Sequence, residues 1–218
     1  MGEFETEPVP GLPANLPEGE TMLWQGAPDW RRLAVEAFHV RKVAAWFAAL
    51  GALRLLEFTG DGTSREALIV SLASLLVVGV LALGILSLLA WLVARTTVYT
   101  ITSKRVVMRF GVALPMAINL PFRRIETAAL RKSGARDGDI ALTLAGNSRP
   151  AYLSLWPHAR AWEVARPQPA LRCLADATSV AGILAGAMSA ELPGTTGQAR
   201  EPQDRHAPGH NRLTAGAA

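Results

Sequence analysis

The sequence VYTITSKRVVMRF, residues Val98–Phe110, decides the fold, because the hydrophobic pattern changes its period here. Its first five residues are β-branched or aromatic, which is typical of a strand. A turn at Ser103 interrupts the run, and alternation then places Val106, Met108 and Phe110 on one strand face. The stretch therefore predicts a β-hairpin that follows a segment of helical character.

Downstream of this hairpin, alternation continues in short segments separated by turn residues. We expect further strands at 116–120, 125–130, 140–144 and 150–156. Short strands at intervals of roughly 8–12 residues indicate a small antiparallel sheet or barrel. Residues 169–190 are expected to close this domain as a helix, since the uncharged part, 177–190, is short for a membrane span. A third span over 177–190 is the alternative interpretation.

Upstream of the hairpin, the sequence is much more apolar, and it raises the mean hydropathy of the chain to +0.22. Ala67–Ala94 contains no charged residue and exceeds the roughly 20 residues needed to cross a bilayer core. A weaker first span is expected from 43 to about 59, with Arg54 extended toward the interface; a helix lying in the interface is the alternative. Residues 43–94 are therefore predicted to form a two-span transmembrane hairpin.

Basic residues flank the two predicted spans on the side away from their connecting loop. Arg41 and Lys42 precede the first span and Arg95 follows the second, whereas the loop around Gly60 is acidic. The positive-inside rule therefore predicts that both termini are cytoplasmic. The formal net charge is +4. These flanks account for it better than nucleic-acid binding does, because no aromatic–basic stacking motif is present.

The remaining segments have compositions of their own. Residues 1–20 are acidic and rich in Pro and Gly, which predicts a flexible N-terminus, and 191–218 has the composition of a disordered tail. Residues 21–42 contain an amphipathic helical pattern and are expected to lie at the membrane interface. The β domain is accordingly assigned to residues 98–190.

No combination of residues indicates catalysis. Cys173 is the single cysteine, and neither Cys173 nor Ser103 has a histidine beside it that would activate it. The histidines do not combine with carboxylates at metal-ligand spacing. They are His39, His158, His206 and His210. We therefore expect no enzymatic activity, no cofactor and no metal.

Two sets of residues are candidates for contact with a partner. The first is a basic set that either faces anionic lipid headgroups or forms an ordinary solvated face. It comprises Lys104, Arg105, Arg109, Arg123, Arg124, Arg131 and Lys132. The second is Gly182 with Gly186, whose spacing allows close approach of another helix.

Two blocks of sequence resemble known families. The first resembles the bacterial pleckstrin-homology (PH) domain, and it consists of residues 99–107, Gly111, Leu120-Pro121, Ile125 and 138–140. The second consists of residues 16–20 and 23–30 followed by 38–44, and it resembles the PuhB-type photosynthetic-complex assembly proteins of purple bacteria. The resemblance extends over about residues 10–190 and does not include the tail.

The resemblance implies a fold and a function. The fold is a two-span membrane α-helical hairpin with a cytoplasmic small antiparallel β-barrel of bacterial PH type, capped by a C-terminal helix. The function is that of a non-catalytic assembly factor in the bacterial inner, intracytoplasmic membrane, which makes transient contact with photosynthetic reaction-centre subunits. The resemblance also implies a homodimer. The alternative is a lipid-surface-binding or membrane-stress module.

In a photosynthetic setting, His39 is a candidate pigment ligand. It stands two residues before Arg41, at the wet end of the first predicted span. An axial ligand needs a neutral imidazole beside an apolar cavity, so an interfacial histidine is the expected role.

Overall fold

The chain forms a pair of long helices followed by two β-sheets and a final helix. The computed structural model describes residues 16–60, 64–112, 114–146, 155–159 and 167–191. Its elements are β1 (Met22–Gly26), α1 (Trp30–Glu36), α2 (Val40–Gly60), α3 (Arg65–Thr96), β2 (Val98–Thr102), β3 (Arg105–Phe110), β4 (Met116–Pro121), β5 (Ile125–Lys132), β6 (Gly138–Leu144), β7 (Ala170–Leu174) and α4 (Ala177–Glu191). A short 3-10 turn, Phe122–Arg124, connects β4 to β5.

The strands form two open antiparallel sheets. Sheet 1 has the order β1-β2-β3-β4 and sheet 2 the order β5-β6-β7. The predicted hairpin is confirmed as β2 and β3, and the predicted strands near 116–120, 125–130 and 140–144 are confirmed as β4 to β6. The expectation of a barrel is wrong. Pro121 ends β4 and the following turn redirects the chain, so no strand pairing in the described residues joins the sheets.

The main apolar core is shared by both sheets and α4. The predicted inward residues Val106, Met108 and Phe110 are buried, and they belong to one cluster with Leu142 of sheet 2 and Leu184 of α4. Burying one face of each layer against the others is the usual way in which small sheets and a helix form a domain. The expected cap by a C-terminal helix is therefore confirmed for α4.

The prediction of a helix over 169–190 is wrong for the first part of that range. Ala170–Leu174 is β7 and pairs antiparallel with β6. All five of its residues are buried, so pairing and packing override the helix propensity of Ala and Leu. The helix begins at Ala177, where the side chain of Asp176 accepts a hydrogen bond of 3.2 Å from the backbone N–H of Ser179.

Residues 21–42 form a strand and a helix that pack against the β domain and α3, and their location at a membrane interface remains a prediction. Met22–Gly26 is the edge strand of sheet 1, paired with β2. The apolar face of α1 is also covered, because Leu33 and Ala34 pack against Ala90 and Ala94 of α3. Protein contacts therefore cover Leu33 and Ala34, while Trp30 remains exposed.

α3 is long and apolar enough to cross a membrane, with a mean hydropathy of 2.8 over its most apolar window. At about 1.5 Å per residue, its 32 residues extend roughly 48 Å, beyond the roughly 30 Å of a bilayer core. Within the described ranges no other helix meets this criterion, so one potential span is found where the sequence predicts two.

Several expectations fall outside the described residues. The strand predicted at 150–156 lies outside the described residues except for Leu155 and Trp156, and these two belong to no strand. The predicted tail, 191–218, also lies outside the described residues except for Glu191. Of the N-terminal segment 1–20, residues 16–20 are described, and there Glu20 is buried.

Candidate functional site

The two long helices present a broad exposed apolar surface. Its most exposed members are Trp46, Leu53, Leu55, Leu56, Ile69, Val70, Leu76, Val77, Val78, Val80, Leu81, Ile85 and Leu88. A contiguous apolar surface of this kind is rare on a protein that is surrounded by water. It suits lipid chains or the apolar surface of other membrane helices.

α2 lies directly against α3. The two helices approach closely at Gly79, where an added Cβ would lie 3.2 Å from the ring of Phe47. Nearer the loop, a groove of about 280 Å³ between the helices is lined by Leu50, Arg54, Ser71, Ser74, Leu75 and Val78. The Arg54 guanidinium pairs with the Glu57 carboxylate at 2.8 Å, so its charge is compensated within α2.

Five members of the predicted basic set lie at the two ends of sheet 1, whereas Arg131 and Lys132 lie at the end of β5 in sheet 2. Arg109 pairs across the sheet with Val98, close to the end of α3. Lys104 and Arg105 follow the other end of β2, about 13 Å farther along the strand at roughly 3.3 Å per residue. The 3-10 turn lies at this distal end too, since the N–H of Phe122 donates to the carbonyl of Lys104 at 3.1 Å.

Arg105 is bound to the N-terminal segment. Its Nε and one terminal nitrogen donate to the two carboxylate oxygens of Glu20 at 2.7 and 2.8 Å. Burial alone would raise the pKa of the Glu20 carboxyl. Hydrogen bonds from Arg105 and Thr102 outweigh burial and hold this pKa below its ordinary value. Arg105 therefore holds the N-terminal segment, in place of the predicted lipid or partner contact.

The other three basic residues at this end are exposed, and none of them forms an ion pair with another described residue, although the charge of Lys104 contributes to lowering the pKa of Glu20. We call Lys104, Arg123 and Arg124 the distal basic rim. It lies about 13 Å along β2 from the end of sheet 1 that adjoins α3.

Gly182 and Gly186 lie on the exposed side of α4. An added Cβ at either position would meet no atom within 4 Å. The opposite side of the helix carries Val180, Leu184 and Ala187, which are buried in the core. The glycine face is thus available for a close contact, although the described residues place nothing against it.

A buried polar chain connects α3 to sheet 1. The Tyr99 hydroxyl lies 2.7 Å from Nδ1 of His158, and Nε2 of the same ring lies 3.1 Å from Oγ1 of Thr97. The Thr97 hydroxyl also donates to the carbonyl of Val93 at 2.7 Å. The backbone N–H of Arg172 donates to the Tyr99 oxygen at 3.3 Å. These contacts fit one direction of donation, with a neutral imidazole that carries its proton on Nε2.

Burial disfavours the charged form of this imidazole. The buried environment and the nearby Arg172 guanidinium lower the pKa of His158 to about 3. Burial also raises the pKa of the Tyr99 hydroxyl above its ordinary value. This buried polar chain of side chains therefore carries no charge at physiological pH, and its role is to connect α3 to sheet 1.

A second polar network connects α1 to sheet 2. The Asp139 carboxylate accepts from Arg131 at 2.6 Å and from the backbone N–H of Cys173 at 2.8 Å. Arg131 also reaches Glu36 at 3.4 Å, and Glu36 pairs with Arg32 at 3.3 Å. Through these pairs of opposite charges, the network joins elements that are far apart in sequence.

Glu36, Asp139 and Cys173 bring two carboxylates and a thiol within 4.8 Å of one another. A divalent cation prefers such ligands, but here Arg32, Arg131 and Arg172 already neutralise the carboxylates. Burial and the Asp139 carboxylate raise the pKa of the Cys173 thiol to about 12. The cluster therefore fits an internal ionic network better than a metal site, and its thiol stays protonated.

Sequence reasoning missed both networks. The second network has members as far apart in sequence as positions 32 and 173, and the pairing of β6 with β7 brings Cys173 close to Asp139. The sequence did contain one signal, the isolated Arg172 within an apolar run, since a buried arginine requires a partner. His39 lies between α1 and α2, where its carbonyl accepts the N–H groups of Lys42 and Val43 at 2.8 and 3.0 Å.

Two small antiparallel sheets capped by a C-terminal helix, preceded by a long apolar helix, define the class as a PH-like β domain joined to a membrane-type segment. Residues 46–188 match the family described as the Bacterial PH domain, and the chain belongs to this family.

One curated relative extends the comparison beyond the domain. The chain is 41% identical over 191 residues to the "Uncharacterized 23.7 kDa protein in puhA 5'region" of Rhodobacter capsulatus. This alignment covers 87% of the present chain and 89% of that protein. No solved structure matches the chain.

Proposed function

We propose that the protein is a non-catalytic membrane assembly factor of the PuhB type for the photosynthetic reaction centre. The observation that carries the proposal is the relative encoded in the 5' region of the reaction-centre gene puhA, to which most of this chain aligns. The broad apolar surface of α2 and α3 supports it, because such a surface suits contact with membrane helices.

In this proposal, α2 and α3 pack beside newly inserted reaction-centre helices, and the PH-like domain contacts a cytoplasmic segment of the same subunits. Association between membrane helices depends on close packing with modest energies, so the contact is reversible. Two side chains of the kinds that catalysis often uses are not in a reactive state, because the Cys173 thiol is protonated and the His158 imidazole is buried. These features support a scaffold that releases its client unchanged.

The proposal includes a second span and cytoplasmic termini. α2 has 21 residues and is about 32 Å long, which matches a bilayer core, and its contact with α3 at Gly79 supports a hairpin. Reporter fusions at Gly62 should be active in the periplasm, and fusions at Ser133 and Ala218 in the cytoplasm. A periplasmic C-terminus would overturn this topology.

Deletion of the gene tests the function. Reaction-centre absorbance and phototrophic growth should fall, while pigment synthesis and respiratory growth persist. In the complemented strain, Gly182→Leu with Gly186→Leu should reduce reaction-centre levels more than His39→Ala does, because branched side chains would separate α4 from a partner helix. Normal reaction-centre accumulation without the protein would overturn the proposal.

The alternative, a lipid-surface or membrane-stress module, finds support in one residue of the basic set. Arg109 lies near the end of α3, where headgroups would be. The distal basic rim lies at the opposite end of sheet 1, which argues against lipid as its main ligand. If lipid sensing were the function, deletion would leave reaction-centre levels normal and alter the response to membrane stress.

A further inference from the structure

The N-terminal segment joins the fold beside the distal basic rim. Glu20 is held by Arg105 through two hydrogen bonds. Next to it, the N–H of Ser103 donates to the carbonyl of Thr21 at 2.9 Å, and the N–H of Thr21 donates to the Ser103 hydroxyl at 3.2 Å. These contacts bring residues 16–20 to the end of sheet 1 that carries Lys104.

The segment that precedes this anchor has the charge opposite to that of the rim. Residues 1–15 contain Glu3, Glu5 and Glu7 and no lysine or arginine. Fifteen residues can reach up to about 50 Å when extended, so the glutamates can reach every residue of the rim. The positive charge of Lys104 also contributes to lowering the pKa of the Glu20 carboxyl at this end of the sheet.

We propose that residues 1–15 bind the distal basic rim as an internal acidic ligand. Exposed ion pairs are individually weak, but a short tether gives an effective concentration in the millimolar range, which favours the internal contact. An acidic segment of a partner would then have to displace residues 1–15 to reach Lys104, Arg123 and Arg124. The proposal concerns regulation of the rim and does not depend on the assembly function.

Spin-label distance measurements on the full-length protein in detergent can test this contact. One label is placed at Thr6→Cys, between the glutamates, and the other at Ala145→Cys. Ala145 is exposed, and its N–H donates to the carbonyl of Arg124 at 2.8 Å, so it lies beside the rim. The native Cys173 is 1% exposed and is not expected to react with the label.

At low ionic strength we expect a short, narrow distance population. Arg123→Gln with Arg124→Gln should lower that population about fivefold, as expected for the loss of two exposed ion pairs. Salt should have the same effect, because it screens exposed charges. The matched control is Lys132→Gln with Arg136→Gln, which removes two exposed charges near the other end of β5 and should leave the distances unchanged.

Three results would overturn the proposal. The first is a broad distribution of label-to-label distances in the protein with an unmodified rim, which neither salt nor the glutamine variants change. The second is a short distance that survives both rim substitutions, which would show an apolar contact instead. The third is a short distance in a mixture of singly labelled proteins, which would identify the ligand as the N-terminal segment of a second copy.

Discussion

The hydroxyl oxygen of Tyr99 lies 2.7 Å from Nδ1 of His158 in the interior of the domain. Tyr99 belongs to β2, and the opposite side of the imidazole contacts Thr97, the residue that follows α3. The ring of Phe110 packs on the same imidazole with centroids 4.8 Å apart. A single neutral histidine therefore connects the apolar helix to the core of the β domain.

Acid should weaken the fold through His158. Its pKa is about 3 in the folded protein and about 6.5 when unfolded, so below pH 6.5 only the unfolded state takes up the proton. The free energy of unfolding should fall by up to about 1.4 kcal/mol for each pH unit between these values. Thermal unfolding from about pH 7 to about pH 4 measures this slope. The His158→Asn variant should flatten it, and an equally steep slope in that variant would contradict a buried neutral imidazole.

The strand phase in sheet 1 can be tested with two methionines. Met108 is fully buried, whereas Met116 is 39% exposed. Met108→Ala should lower the free energy of unfolding by about 2–5 kcal/mol because it leaves a cavity. Met116→Ala should change it by less than about 1 kcal/mol. Chemical denaturation of both variants measures the difference, and equal losses would mean that the inward face of β3 is wrongly assigned.

The contact between α2 and α3 can be tested with two glycines. A leucine at Gly79 would collide with Phe47, so Gly79→Leu should cost about 1–3 kcal/mol and loosen the helix pair. Gly84 has no atom within 4 Å of an added Cβ, and Gly84→Leu is the matched control with little expected effect. Thermal unfolding measures the stability of the two variants, and cross-linking between the helices measures how closely α2 and α3 pack in each. Equal behaviour would remove the structural support for a two-span hairpin.

The N-terminal anchor predicts a difference between two nearby glutamates. The Glu20 side chain is 3% exposed and pairs with Arg105, whereas Glu18 is exposed. Glu20→Gln should lower stability by about 1–3 kcal/mol at neutral pH, because it weakens a partly buried charge pair. Since the pKa of Glu20 is lowered, this contribution should disappear as pH falls through that pKa. Glu18→Gln should leave stability unchanged in the same denaturation series.

The sequence alone determined the elements whose pattern is local. α3 follows from the uncharged run Ala67–Ala94, and the β2–β3 hairpin follows from alternation on either side of Ser103. Length and period are properties of neighbouring residues, so they can be read before any contact is known. The family resemblance extended this to the PH-like domain and its helical cap.

Only the tertiary structure decided the features that depend on distant residues. β7 is buried on both faces and shows no alternation, so its pairing with β6 was invisible in the sequence. Arg105 and Glu20 are separated by 85 positions, yet they form an ion pair that removes Arg105 from the predicted basic surface. The same applies to His158, whose burial depends on Thr97 and Tyr99. Partner choice for a polar group is a property of three-dimensional proximity, and local pattern does not encode it.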